Sequence, residues 1–256
     1  MTFNVPIIFE DESLVVINKP SGMTANRSDT TGGEQTVQDW MEEYCGWEKG
    51  EAGGGPVGDE ADEDGSDFKS RSGLVHRLDK ETSGVLILAK NEEVFLQMQS
   101  QFKNREVKKT YKALAHGRVT PPSGEINVPV GRLPWNRRQF GVVAGGKEAQ
   151  THYELVSYYR SDDKKRETLS MLELHPVTGR THQIRVHLQY LGHPIFSDFL
   201  YAGRKTQRDD RVLLARVFLH AAHITFIHPV TKESMSLEAP LPPELIKVMD
   251  HMIPIV

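Results

Sequence analysis

His76-Arg77-Leu78-Asp79-Lys80-Glu81-Thr82-Ser83-Gly84, running on into Val85-Leu86-Ile87-Leu88, organises the rest of this chain around itself. Its second half is an apolar run entered through small residues, which predicts a buried strand over 84–90. Its first half places one carboxylate two residues after an arginine, on the same side of extended backbone. An aspartate in a loop ordinarily shapes a turn or caps a helix. Here Thr82, Ser83 and Gly84 let the backbone turn sharply without bulk. A second polar, basic cluster lies far downstream: His175-Pro176-Val177-Thr178-Gly179-Arg180-Thr181-His182-Gln183-Ile184-Arg185-Val186-His187. An aspartate at a buried edge with arginines converging on it is a candidate nucleophile or acid/base.

Working outward, residues 7–10 and 14–18 read as strands around the turn Asp11-Glu12-Ser13, and 19–23 as a loop. Residues 36–44 read as a helix. Asn91 is placed to cap a further helix whose first turn carries Glu92 and Glu93, with Val94, Phe95, Met98 and Phe102 as its core stripe. Residues 105–119 alternate as a long strand that turns Tyr111 inward with Ala113 and Ala115. More strands are expected at 149–158, 167–175 and 217–227. A helix is expected from near Gly179, capped by Thr178, with Ile184, Leu188 and Leu191 as its apolar stripe and His182, Arg185 and Gln189 on a polar face. Several strands follow one another without helices between them, which favours an α+β mixed or antiparallel sheet over a doubly wound one.

The 256 residues suffice for a sizeable core, and 38% apolar with 26% charged residues describes an ordinary globular chain. One cysteine, Cys45, excludes an internal disulfide framework and fits a reducing compartment. The N-terminus has no secretory pattern and no run approaches a membrane span, so a cytoplasmic protein without membrane contact is expected. Between Glu51 and Asp67 lie seven acids and no Lys or Arg; without them the formal charge moves from −4 to +3. This Gly- and acid-rich stretch, at about 48–68, reads as a flexible surface insertion in an otherwise single domain over 1–256. Positive charge gathers at Arg105/Lys108/Lys109/Lys112, Arg132/Arg137/Arg138, Lys164/Lys165/Arg166 and Arg204/Lys205/Arg208/Arg211, favouring a phosphate-rich partner. His182 and His187 are five apart, without the i, i+4 pair and third ligand of a metal site, so no metal is expected.

Several segments together resemble, in order, the motifs of RluA-type pseudouridine synthases. They are 17–23 (Ile-Asn-Lys-Pro-Ser-Gly-Met), 76–84, Lys109-Thr110-Tyr111-Lys112-Ala113 and 175–185. Gly192-His193-Pro194-Ile195 with Asp198, Tyr201-Ala202-Gly203 and Leu219-His220-Ala221 extend the match over nearly the whole chain. The resemblance implies a pseudouridine synthase fold, a mixed and mostly antiparallel sheet with flanking helices and a central active-site cleft. It implies isomerisation of uridine in structured RNA without metal or organic cofactor. Ribosomal RNA is slightly favoured over transfer RNA, and a monomer acting on RNA rather than DNA is expected.

Carried over, Asp79 is the catalytic carboxylate, Tyr111 the pocket tyrosine, and Arg185, rather than Arg180, the basic partner of Asp79. Arg77 takes the place of the extruded base. His76, Arg180, Arg137 and Arg138 are the further candidates for RNA contact, although His76 read alone suits a structural role, as does His220. Many relatives carry an N-terminal S4-like domain, and here only a few residues precede the first strand. The other readings are a catalytically silent RNA-binding protein on the same fold and a glycoside hydrolase. Binding alone needs no Asp79, Tyr111 and Arg185 set, and a hydrolase ordinarily shows paired carboxylates.

Overall fold

The computed structural model describes residues 3–27, 33–48, 68–161 and 167–255, without the side chains of 137 and 138. The acidic stretch 49–67 and the basic cluster 164–166 lie outside the described residues. The chain forms two compact units, one of Met1–Lys108 with His223–Ala239, the other of Lys109–Ala222 with Pro240–Val256. No helix among the described residues is long and apolar enough to cross a membrane.

The first unit opens with β1 (Ile7–Glu10) and β2 (Leu14–Lys19), an antiparallel pair. Asp11 closes the turn between them, its Oδ1 accepting from the amides of Ser13 and Leu14, both at 2.7 Å. A local side-chain to backbone bond of this kind is what an aspartate offers a tight turn. Helix α1 (Val37–Cys45) starts at a capping box in which Thr36 and Asp39 satisfy each other's backbone amides. After α2 (Phe68–Arg71) comes β3 (Ser83–Ala89), buried along its whole length and paired with β2 from Leu14↔Ala89 to Lys19↔Gly84. Helix α3 (Glu92–Lys103) begins where expected, Asn91 accepting from the Val94 amide at 3.0 Å. Val94, Phe95 and Met98 enter the core with Leu14, Val16, Val85 and Ile87, and Phe102 packs on its margin.

In the second unit, β4 (Lys108–His116) is shorter than the expected 105–119. Arg105 adopts a left-handed φ of 61° ahead of it, and Gly117 ends it at φ 81°. A Cβ at Gly117 would stand 2.9 Å from His193 Nδ1, so a side chain there is excluded on two counts. β5 (Ser123–Asn127) is followed by the hairpin β6 (Val130–Leu133) and β7 (Asn136–Val142). β8 (Gln150–Ser161) and β9 (Thr168–Pro176) pair antiparallel, with a register shift between Leu155 and Ser157. β9 also pairs with β4, and β8 with β5. Helices α4 (Gln183–Tyr190) and α5 (Arg204–Asp210) follow, then β10 (Leu219–Ile227), which runs from the second unit back into the first. There its His223–Ile227 half pairs with β11 (Ser234–Glu238). Helix α6 (Pro243–Asp250) and β12 (Met252–Ile255), an edge strand on β8, complete the second unit. Its core includes Ala113, Leu114, Leu172, Leu174, Ile184, Leu188 and Phe218. The register pairings named here are all antiparallel, in an α+β chain.

Helix α4 departs from expectation in two ways. It starts at Gln183 rather than near Gly179, and its N-cap position is His182, left-handed at φ 57° and without a side-chain cap bond. The Thr178 hydroxyl is used elsewhere, accepting from the Gln150 amide at 3.0 Å and donating to Gln183 Oε1 at 2.6 Å. A threonine that braces a loop against β8 is not available to cap. Six consecutive residues, Gln183 to Leu188, are buried, so of the expected polar face Arg185 is turned into protein while Gln189 stays exposed. Ile184 and Leu188 pack into the main core, and Val186 into a separate cluster with Val130, Ala149 and Tyr201.

Candidate active site

In the first unit the Asp79 segment is pinned from below. Lys19, at the end of β2, has no exposed surface. Its Nζ donates to the carbonyls of Met23 at 2.8 Å, Pro20 at 3.0 Å and Lys80 at 3.3 Å. The 20–23 loop is tied to the same place by Gly22 N on Lys80 O at 2.8 Å and Ser21 Oγ on Glu81 O at 2.8 Å. An ammonium taken out of water is costly unless its donors are satisfied, and here three donors meet three carbonyls. Thr82 N then closes the turn onto the Asp79 carbonyl at 3.0 Å. Asp79 is half-buried between buried Leu78 and exposed Lys80, and Arg77 is exposed. His76 is engaged in packing: its Nε2 accepts from the Ile87 amide at 3.0 Å, and its ring stacks on Phe102 with centroids 4.7 Å apart. That bond puts the ring proton on Nδ1 when the imidazole is neutral.

In the second unit the expected cluster is brought together around α4. Arg185 is 4% exposed and Asp198 is fully buried. They form a bidentate pair, Nε to Oδ2 at 2.7 Å and Nη2 to Oδ1 at 2.9 Å. Asp198 Oδ1 also accepts from the amides of Leu200 at 3.0 Å and Tyr201 at 3.2 Å. The Arg185 guanidinium stands 5.0 Å from the Tyr201 ring centroid. Tyr201 in turn binds His182 Nδ1 at 2.8 Å through its hydroxyl, which accepts from the Phe140 amide at 3.2 Å. A planar guanidinium gripped at two nitrogens has a fixed direction, which a single contact would not give.

Arg180 has a different task. Its Nε donates to the Glu148 carbonyl at 2.8 Å, and its amide to Gln183 Oε1 at 2.9 Å. Gln183 completes the brace, its Nε2 donating to Gln150 O and Thr151 Oγ1, each at 2.9 Å. Burial holds the His187 pKa below its ordinary value. The ring is therefore neutral, with Nε2 donating to the Val128 carbonyl at 3.2 Å and Nδ1 accepting from the Thr151 hydroxyl at 2.9 Å. Tyr111 is half-buried on β4, opposite Leu174 and against the second unit's core.

Arg137 and Arg138 lie on β7, and their side chains are outside the described residues. Phe140 is half-buried with its ring edge-on to His182 at 5.6 Å. The exposed aromatic of this hairpin is instead Trp135, at its tip.

Sequence reasoning missed the tasks of Lys19 and Asp198. Each left a signal: a lysine closing an apolar strand just before proline, and an aspartate one serine beyond the apolar Ile195-Phe196.

The chain is similar to known proteins over most of its length. The family model for RNA pseudouridylate synthase matches residues 13–190, a span that includes Lys19, Asp79, Tyr111 and Arg185. The uncharacterized RNA pseudouridine synthase YlyB of Bacillus subtilis (strain 168) is 32% identical over 251 residues, covering 97% of this chain and 73% of that protein. Ribosomal large subunit pseudouridine synthase D of Zymomonas mobilis is 32% identical over 245 residues, 93% of this chain and 70% of that one. Among solved structures, human RNA pseudouridylate synthase domain containing 1 superposes with a TM-score of 0.71 at 25% identity, over 98% of this chain and 89% of its own. A family model that matches most of this chain, and curated relatives matched over most of their length, place this chain in the RNA pseudouridylate synthase family, as an isomerase that modifies RNA.

Proposed function

We propose that Asp79 is the catalytic carboxylate of a uridine isomerase acting on structured RNA, with Arg185 as its basic partner and Tyr111 against the base. The observation that carries this reading is the burial of Lys19, whose ammonium ties the 20–23 loop to the Asp79 segment at Lys80. So costly an anchor is expected where the direction of one side chain decides the chemistry.

The reaction breaks the bond from C1′ to N1, turns the uracil and joins C1′ to C5; C5 then gives up its proton, ultimately to water, while N1 takes one up. The Asp79 carboxylate either adds to the sugar or ring carbon, or takes a sugar proton to give a glycal; both routes need it ionised. A guanidinium beside it favours that state. Tyr111 stacks on the uracil and is the candidate acceptor of the C5 proton. A base in a folded stem must leave its stack, costing roughly a few kcal/mol, and Arg77 inserted in its place offsets part of this. Arg137, Arg138, Arg180 and His76 are the further candidates for RNA contact. Ribosomal RNA is the favoured substrate, since relatives such as those of Zymomonas mobilis and Neisseria meningitidis are named ribosomal large subunit pseudouridine synthase D.

The test is to map pseudouridines by carbodiimide-dependent reverse-transcription stops in cells lacking the gene, complemented with the parental or the Asp79→Ala protein. A stop in ribosomal RNA restored by the parental protein alone is the expected result. A stop restored by both would remove Asp79 from the chemistry, and one confined to transfer RNA would move the substrate.

A further inference from the structure

Bonded to the residue just before Asp198 is a charged cluster that no step above uses, with His116 and Asp210 buried and Glu167 partly exposed. His116, the last residue of β4, is 6% exposed. Its Nε2 meets Asp210 Oδ2 at 2.9 Å and its Nδ1 meets Glu167 Oε1 at 3.1 Å. A ring with a carboxylate on each nitrogen must donate from both, which is the imidazolium form. Burial alone would lower its pKa; the hydrogen bonds to Asp210 and Glu167 outweigh that and push it up to about 9. The groups facing it are Asp210 at the end of α5, Glu167 ahead of β9, and His193, whose Nδ1 meets the His116 carbonyl at 2.8 Å.

The same Asp210 Oδ2 also accepts from the Ser197 amide at 2.9 Å. Ser197 is left-handed at φ 61°, a conformation that a residue with a Cβ keeps only where its surroundings impose it. Its hydroxyl is held as well, donating to the Leu214 carbonyl at 2.6 Å. The segment just before it is strung on β4, with Phe196 N on Leu114 O at 2.8 Å and His116 N on Pro194 O at 2.9 Å. The residue just after it is Asp198. One carboxylate oxygen therefore links the His116 ring to the backbone twist from which the Arg185 clamp departs.

We propose that His116 and Asp210 are positioning residues that fix the backbone at Ser197 and so aim the Asp198 carboxylate that holds Arg185. The proposal rests on the reading of Arg185 as a participant in the isomerisation. Neither residue touches RNA or the reacting atoms; they act through the loop.

The test uses the full chain labelled with 15N, and RNA from gene-deleted cells grown on [5-3H]uridine. Two variants, His116→Gln and Asp210→Asn, guard against one failing to fold. Two quantities are read: the Nε–Hε resonance of Arg185, and kcat and KM for tritium release to water. Both variants are expected to move the resonance and lower kcat by roughly tenfold to a hundredfold, the effect of a misplaced catalytic group, with KM within about twofold. The parental kcat is expected to decline as pH rises through about 9, and His116→Gln to lack that decline. A merely structural histidine would leave kcat intact in folded protein. An unmoved resonance in both variants overturns the proposal, and so does a moved resonance with parental kcat. An Arg185→Lys protein of parental kcat would instead overturn the reading of Arg185, and the resonance distinguishes the two failures.

Discussion

Changing Asp198 to Asn removes the carboxylate that neutralises a guanidinium only 4% exposed, while keeping the shape of the side chain. The asparagine can still accept from the Leu200 and Tyr201 amides, which lie 3.0 and 3.2 Å from Oδ1. The 2.7 Å bond from Nε is lost, since an amide NH2 replaces Oδ2 as a donor facing a donor, and Arg185 is left buried without that countercharge. Breaking a buried pair from one side costs about 3–5 kcal/mol, mostly the penalty of the stranded charge. For a chain of this size that lowers Tm by roughly 6–20 °C. Arg185→Met strands the carboxylate instead and should cost a similar amount. The double variant strands neither, so its loss should be no larger than either single one, giving a coupling energy of at least about 3 kcal/mol. Urea unfolding of the four proteins, followed by tryptophan fluorescence, measures all three differences. A loss below about 1 kcal/mol for Asp198→Asn, or additive losses in the double variant, would refute the argument that this pair is a desolvated clamp.

Lys19→Met should leave the Pro20, Met23 and Lys80 carbonyls short of a donor, at about 1–3 kcal/mol for each one not re-satisfied, and should speed hydrogen exchange at the Gly22 amide. Unchanged exchange at Gly22 would show that the lysine does not anchor the loop. His116 is raised from 6.5 to about 9, so its contribution is complete below about pH 6.5 and disappears as pH rises through about 9. That contribution is about 3 kcal/mol, so urea unfolding between pH 6 and pH 10 should show a decline absent from His116→Gln. A parental decline of equal size in His116→Gln would assign it to another group. Tyr111→Phe should keep the parental Tm and lose turnover in the tritium-release assay; parental turnover would dismiss proton transfer by the hydroxyl.

The parts of the fold that sequence revealed are those whose causes are local. The turn at Asp11, the capping box at Thr36 and the Asn91 cap of α3 each depend on residues within three positions. The apolar run of β3 needs no knowledge of its neighbours to be read as buried. The start of α4 was not legible because the partner of Thr178 is Gln150, on a strand far back in the chain. Arg185 read only as part of a polar face because the group that lets it be buried, Asp198, is thirteen residues on, in the loop between α4 and α5. Lys19 was read as a loop residue for the same reason: the Lys80 carbonyl it meets is 61 residues away. The motifs pointed to Asp79, Tyr111 and Arg185 as candidates, but the residues that fix the Asp79 segment and Arg185 became visible only from the folded chain.

The central claim is that Asp79 performs the isomerisation, and single-turnover tritium release tests it most directly. Purified Asp79→Asn protein, in excess over [5-3H]uridine-labelled RNA from gene-deleted cells, should bind that RNA about as tightly as the parent and release no tritium above the protein-free control. Release at the parental rate from a protein confirmed by mass to carry asparagine at 79 would contradict it.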